Sequence, residues 1–468
     1  MQKNIIILFI IIFFNNLLSL DIIPGNDICE KEKKYILNRQ DLVNAAIKQI
    51  IKNKNIDNSK LPKIAICFSG GGYRAMIASA GFIQAAEENN LLPAASCASA
   101  LSGSAWLFIP LLTANLEMSQ YKNILKNEVN TNFFNFKNID TKKFIKNIYN
   151  YFENKDNYLM EYWSKTLSEH LLSGFNQNTT FKAIRKNLKT TNHFPFPLFS
   201  CLITNSKTQQ NLPYNYMEIS PFYTYSAALS CSVNTKFLGS TFQDGEILEK
   251  YNDLTESFFM GMLGSPFCIS GGDVLSFFLA DLGEFLKVNN YHYLDLFEKI
   301  FEDLDLYKNR VTPAQIPNYT YNYKKSSLSN LETLELADAG INILNLALDP
   351  LFRRDIDVLI ICDSSADATT KNYPELELAA NFAKDNNINF PDITNSETLY
   401  KNLDNFKIFY DQDNKKAPVI IYITNPIEES TLKLQYNPKE FDELYNTMHD
   451  IVINNTENIA KAIKLKIS

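Results

Sequence analysis

Three adjacent glycines, Gly70, Gly71 and Gly72, separate a mainly apolar run, Lys63–Phe68, from a segment of helical period, Tyr73–Glu88. The chain has 468 residues and only 15 glycines, about half of what an average usage of roughly 7% would give. Glycine used so sparingly and then placed three in a row answers a backbone demand. The unit reads as strand, glycine turn and helix. A second unit follows at once: Cys97–Leu101 as a short strand, Ser102-Gly103-Ser104 as the turn, and an apolar run to Leu112. Further on, Asp357–Cys362 and Ala417–Thr424 are continuous apolar runs of the kind found in strands buried on both faces. Strands alternating with helices predict an α/β fold with a covered sheet.

The composition is that of a folded chain, 46% hydrophobic and 21% charged, with ample apolar surface to bury. With 45 basic and 52 acidic residues the net charge is -7, which argues against a nucleic-acid binder driven by bulk charge. The short basic clusters Lys142–Lys146 and Arg353–Arg354 are expected on solvated faces. No composition break divides the chain after residue 61. Asp41–Lys52 is expected as an amphipathic helix, Tyr121–Leu172 as largely helical, Pro195–Asn205 as strand and Phe441–Ile467 as a helical tail.

The N-terminus carries Lys3 and then an unbroken apolar run, Ile5–Phe14. That is too short for a spanning helix of roughly 20 residues and fits the apolar core of a signal peptide. Residues 1–20 are therefore expected to be a leader and 21–468 the functional domain, with a secreted or secretory-lumen protein as the consequence. The seven cysteines are Cys29, Cys67, Cys97, Cys201, Cys231, Cys268 and Cys362. Spacing does not reveal pairing, but Cys67 and Cys362 lie inside apolar runs and are expected as buried thiols. No CxxC or Cys/His cluster has metal-ligand spacing, so neither a metal nor a cofactor is expected. Sequons at Asn178, Asn318 and Asn454 are candidate glycan acceptors.

The two small-residue turns carry the chemistry. Bare backbone at the start of a helix offers free amides and the positive end of the helix dipole, which together bind an anion. The anion could be a phosphate or the oxyanion of an acyl-transfer intermediate. Arg74 falls in the first helical turn and could reach a phosphate. The GxGxxG and GKS/GKT patterns of nucleotide sites are absent. Ala100-Leu101-Ser102-Gly103-Ser104 has the form of a nucleophile elbow, with the outer glycines of G-x-S-x-G replaced by small residues. Serine needs a base. Of His170, His193, His292 and His449, only His449 completes an order Ser…Asp…His. The alternative is a carboxylate base, for which Asp338, Asp363 and Asp367 are equal candidates on the residues alone.

FSGGGYRAM at 68–76 followed by ALSGSAW at 100–106 resembles the phospholipase B and group IV cytosolic phospholipase A2 family, which is patatin-related. Leu336–Gly340 (LADAG) resembles that family's Asp-Gly/Ser-Gly element. Arg354–Asp367 (RDIDVLIICDSSAD) resembles its strand ending in Asp-Ser-Ser-Ala-Asp. Met260–Phe267 and Phe237–Ser240 are similar to further family segments, and the resemblance spans about residues 29–390. It implies a three-layer α/β fold with a central mixed sheet and a Ser–Asp hydrolase. It also implies roles. Ser102 would be the nucleophile, Asp338 the base, Gly71, Gly72 and Gly103 the oxyanion donors, and Arg74 the phosphate ligand. Asp363 and Asp367 would instead stabilise the turn after their strand.

The implied substrates are phospholipids and lysophospholipids at a membrane surface or in micelles. The rival expectations are a Ser-His-Asp esterase using His449 and an inactive lipid-binding homologue. Ala100 and Ala339 depart from the family pattern, and the segment after about 390 matches it poorly. Neither a calcium-binding module before the domain nor a glycolipid-anchor tail is expected.

Overall fold

The computed structural model describes residues 21–131, 158–172, 178–191, 193–206, 215–265, 313–342, 344–368, 373–393 and 405–467. The leader expected at 1–20, Lys142–Lys146, Cys268 and His292 lie outside them. The strands, in chain order, are β1 (Ile22–Pro24), β2 (Ile64–Phe68), β3 (Ala95–Ala100), β4 (Phe196–Ile203), β5 (Asn215–Ile219), β6 (Thr224–Ser226) and β7 (Cys231–Val233). They continue with β8 (Thr241–Gln243), β9 (Glu246–Glu249), β10 (Ala314–Pro317), β11 (Thr333–Asp338), β12 (Val358–Asp363), β13 (Phe406–Phe409) and β14 (Val419–Thr424). Among the longer helices are α1 (Glu30–Ile50), α2 (Gly72–Glu88), α3 (Ser102–Ala114), α4 (Met118–Asn130) and α5 (Tyr158–Leu171). Then come α6 (Phe181–Thr191), α7 (Glu256–Leu263), α8 (Pro374–Asp385), α9 (Pro438–Asn454) and α10 (Thr456–Lys464).

One mixed sheet organises the chain in the order β1-β7-β6-β5-β4-β3-β2-β12-β14-β13. Its middle, β4, β3, β2, β12 and β14, is parallel. Every residue of β2, β4, β12 and β14 is buried, which is why β2, β12 and β14 read as apolar runs. Of the antiparallel strands, β1, β6 and β7 have three residues each, and β5, β11 and β13 are interrupted by polar residues. β11 pairs with β4 on the edge that β3 leaves. β3 ends with Ala100 opposite Phe199, and β11 ends with Asp338 opposite Cys201. The two strands therefore meet end to end along one neighbour.

The helix expected from Asp41 begins eleven residues earlier, at Glu30. Its first turns are polar, but Glu32 and Arg39 are buried there. Arg39 donates to the carbonyl of Ala95 at 2.7 Å, which ties α1 to the start of β3. The basic pair expected on a solvated face is also inside. The Arg354 side chain is 7% exposed. It donates from Nε to Glu32 Oε1 at 2.7 Å and from Nη2 to Glu218 Oε1 at 2.8 Å. Two buried carboxylates attract these cations inward, which outweighs their own preference for water only because the bonds are direct. Arg354→Ala would leave Glu32 and Glu218 without that charge. It is expected to cost about 3–5 kcal/mol, seen as a lower urea midpoint at unchanged m-value.

Six cysteines, Cys29, Cys67, Cys97, Cys201, Cys231 and Cys362, are free thiols, and all but Cys29 are buried. Of the three sequons, Asn318 is not a usable acceptor. It is 1% exposed, and its side-chain amide donates to the carbonyls of Leu328 and Leu331. Asn178 and Asn454 are exposed.

Candidate active site

The site forms at the C-terminal ends of β2, β3 and β12, where ligands gather in open α/β sheets. After β2 the chain turns through Gly71 at φ +131° and Gly72 at φ +60° into α2. Both values lie where only glycine is comfortable. Space forbids a side chain as well: a Cβ on Gly71 would lie 2.4 Å from the Ser364 carbonyl oxygen, and one on Gly72 would lie 2.1 Å from that of Thr431. Ser69 holds the turn against β12 by accepting from the Ser364 amide at 2.7 Å.

After β3 the chain makes a sharper bend. Ser102, the first residue of α3, sits at φ +50°. For a serine this is strained backbone, of the kind that persists where surrounding structure imposes it. Ser104 closes the bend: its hydroxyl accepts from the Leu101 amide at 3.1 Å and donates to the Leu101 carbonyl at 2.8 Å. The capping role at this turn thus belongs to Ser104, and the Ser102 hydroxyl is left for other work. Ala100 replaces a glycine without consequence for the bend, because it lies in regular strand pairing with Phe199. Gly103 is where the two turns touch. A Cβ there would lie 2.0 Å from the Gly72 carbonyl oxygen and 2.9 Å from its nitrogen.

Asp338, at the end of β11, is 2% exposed. Its Oδ1 accepts from the Gly340 amide at 2.8 Å, and the Ser102 hydroxyl lies near enough to its carboxyl to lower its pKa. Burial pushes its pKa up to about 6, against the pull of the Gly340 amide and the Ser102 hydroxyl. The other candidate carboxylates are elsewhere engaged. Asp363 accepts from the Tyr422 hydroxyl and, at 2.8 Å, from the Ser365 amide, which fastens the turn after β12. Asp367 is exposed.

Gly70 has its N–H committed to the Asn345 carbonyl at 3.1 Å. Gly71, Gly72 and Gly103 stand at helix starts, where amides lack intrahelical partners. Arg74 is 4% exposed and donates to the Ser364 carbonyl from Nε and Nη2, and to the Glu429 carbonyl from Nη1 at 2.7 Å. Its guanidinium thus clasps two loops onto the start of α2, and a phosphate would share it with these carbonyls.

His449 does not belong to this constellation. It pairs with Glu88, at 2.9 Å, and Asp450. Its backbone packs against Gly81 in the middle of α2, nine residues and about 13 Å along the helix from Gly72. Its ring is held there by Glu88 and Asp450 and does not meet Ser102 as the esterase reading requires. His170 meets Thr131. Two neighbours of the site had no motif to reveal them. Asn345 packs between Gly70 and Gly340, and Glu375, on α8, accepts from the Asn345 amide.

A strained serine hydroxyl near a buried carboxyl, beside amides at two helix starts, has the parts for attack on an ester carbonyl and stabilisation of the resulting oxyanion. Comparison with known proteins points the same way. The lysophospholipase catalytic domain family matches residues 64–425, well past the point near 390 where the resemblance was expected to fade. The chain is 25% identical to lysophospholipase 2 of Aspergillus fumigatus, over 89% of this chain and 78% of that one. It is 26% identical to lysophospholipase 1 of Candida albicans, over 87% and 76% respectively. Among solved structures it is similar to human GIVD cytosolic phospholipase A2, with a TM-score of 0.75 at 16% identity. That likeness concerns the fold, and covers 96% of this chain and 66% of the human one.

Proposed function

Since the chain belongs to the lysophospholipase catalytic domain family and is a carboxylic ester hydrolase, we propose that it cleaves acyl esters of lysophospholipids and phospholipids through Ser102 and Asp338. The observation that carries this reading is the placement of the Ser102 hydroxyl, at φ +50°, near enough to the buried Asp338 carboxyl to lower its pKa. Ser102 attacks the ester carbonyl as Asp338 takes its proton. The oxyanion is held by the amides of Gly71 and Gly72, with Gly103 as a third donor. Asp338 then gives the proton to the departing lysolipid or glycerol hydroxyl, and an acyl-Ser102 ester remains. Water attacks that ester, with Asp338 again as the base, and releases the fatty acid.

Arg74 takes the lipid phosphate with the N–H groups not committed to Ser364 and Glu429. The substrate reaches the site from a membrane surface or a micelle. The apolar N-terminal run supports secretion, and Asn178 and Asn454 are the sequons that could carry glycans. Sequencing the N-terminus of the protein secreted by the native cell tests the first. A fluorophosphonate probe tests the chemistry and separates the reading from an inactive lipid-binding homologue. The folded protein is expected to be labelled, and Ser102→Ala is not; an unlabelled native protein would sink the proposal.

The same probe reads the base. Only ionised Asp338 can accept the serine proton, so labelling rises with pH through about 6 and falls away below it. The effect on stability has the opposite sign. A carboxyl whose pKa is raised by folding favours the folded state below its unfolded value near 3.9. That contribution is lost as the pH rises through about 6.

A further inference from the structure

Asn345 joins the two halves of the site. Its backbone carbonyl accepts from the Gly70 amide at 3.1 Å. Its side-chain oxygen fills the gap between the glycine turn and the aspartate turn: a Cβ on Gly70 would lie 2.3 Å from Oδ1, and one on Gly340 would lie 2.7 Å from it. The next residue, Leu346, bridges to Ser69. What holds Asn345 is its own amide, which donates to Oε2 of Glu375 at 2.8 Å. Glu375 is the second residue of α8 and is 8% exposed. Among the described residues no cation lies within ion-pair distance of it. A buried acid with no cationic partner is costly to keep. Neither the nucleophile, the base nor the oxyanion donors use it directly.

We propose that Glu375 is a positioning residue for the ester hydrolysis: by holding the Asn345 amide it sets the spacing between the glycine turn and the Asp338 turn. The proposal rests on the Ser102–Asp338 reading above. It has a consequence that mere packing would not have. Burial first, then the negative charges of Asp363 on β12 and Asp367 in the loop after it, push Glu375 up to about 7, while the Asn345 amide pulls it back. Tyr422 of β14 and Tyr216 of β5 also face it. An ionised carboxylate is the stronger acceptor for the Asn345 amide. The site therefore tightens as the pH rises through about 7, above the step that ionises Asp338 near 6.

The test is kcat and KM on a micellar lysophosphatidylcholine between about pH 5 and pH 9, for the wild type, Glu375→Gln and Glu375→Ala, with Ser102→Ala alongside. Glutamine keeps an acceptor in place but cannot ionise. Glu375→Gln is expected to stay within about threefold of wild-type kcat at high pH, to lose the inflection near 7 and to keep the one near 6. Glu375→Ala is expected to lose roughly tenfold or more in kcat with KM within about twofold, as for a site displaced by a fraction of an ångström.

Wild-type kcat in Glu375→Ala, or a loss carried by KM instead, overturns the proposal. So does an inflection near 7 that survives in Glu375→Gln, and this variant decides alone if the alanine variant does not fold. A Ser102→Ala protein that still turns over overturns the dyad reading and this proposal with it. An inactive Ser102→Ala beside an unaffected Glu375→Ala overturns this proposal only.

Discussion

Asp338→Asn is expected to lower turnover of a lysophospholipid by roughly a thousandfold or more without lowering the melting temperature. The two halves of this result come from the same burial. In the folded protein the carboxyl is held near 6 rather than at its ordinary value, so near neutral pH a charge is kept where it is poorly solvated. A shift of about two units corresponds to roughly 3 kcal/mol that folding must overcome. Asparagine keeps an oxygen for the Gly340 amide and carries no charge, so the strain is relieved. It also turns an N–H toward the Ser102 hydroxyl, where an acceptor is needed, and the proton has nowhere to go. Released fatty acid and a thermal melt at about pH 8 check the two halves. Ser102→Ala should lose as much activity, and the double variant no more than either alone, because the pair acts as one unit. Asp338→Asn activity above a tenth of wild type would remove Asp338 from the mechanism.

Gly103→Ala is the second large effect. Its new methyl would sit 2.0 Å from the Gly72 carbonyl oxygen and 2.7 Å from the carbonyl carbon. These are backbone atoms, with no flexible end to swing away, so one turn must move off the other. The oxyanion donors belong to both turns, and a displacement near 1 Å is enough to cost about a hundredfold in rate. The overpacking itself is expected to cost about 1–3 kcal/mol. Initial rates and a urea titration check these figures. A Gly103→Ala protein with wild-type rate would mean that the two turns need not touch for catalysis.

β2, β12 and β14 in the parallel middle of the sheet were legible in the sequence because they are buried on both faces and so read as nearly unbroken apolar runs. β2, β12 and β14 begin or end within two residues of the apolar runs that announced them. The strands β5, β6, β7, β10 and β11 were not legible. TYS and CSV are too short for any period to show, and β11 interleaves Glu335 between apolar residues. The early start of α1 was hidden for another reason. Glu32 and Arg39 are buried through hydrogen bonds, and pattern reading takes charge as a sign of solvent. Arg354 was misjudged on the same ground. Both turns of the site were legible as backbone devices. The base was not: residue chemistry left Asp338, Asp363 and Asp367 level, and only family resemblance preferred one of them. Asn345 and Glu375 lie in no motif, since what they do depends on contacts between distant segments.

The end-to-end meeting of β3 and β11 along β4 makes this chain a clock for its own folding. Ser102 lies beside strands and helices drawn from a short stretch of sequence, whereas Asp338 arrives only when a distant antiparallel strand has found its place. A register slip of one residue would turn Asp338 to the opposite face of the sheet, and a slip of two would carry it about 7 Å along the edge. Local helices form early and such long-range pairings late. During refolding, helical circular dichroism should therefore return before esterase activity. The delay between the two would time the arrival of the distant segments that complete the site, this edge among them.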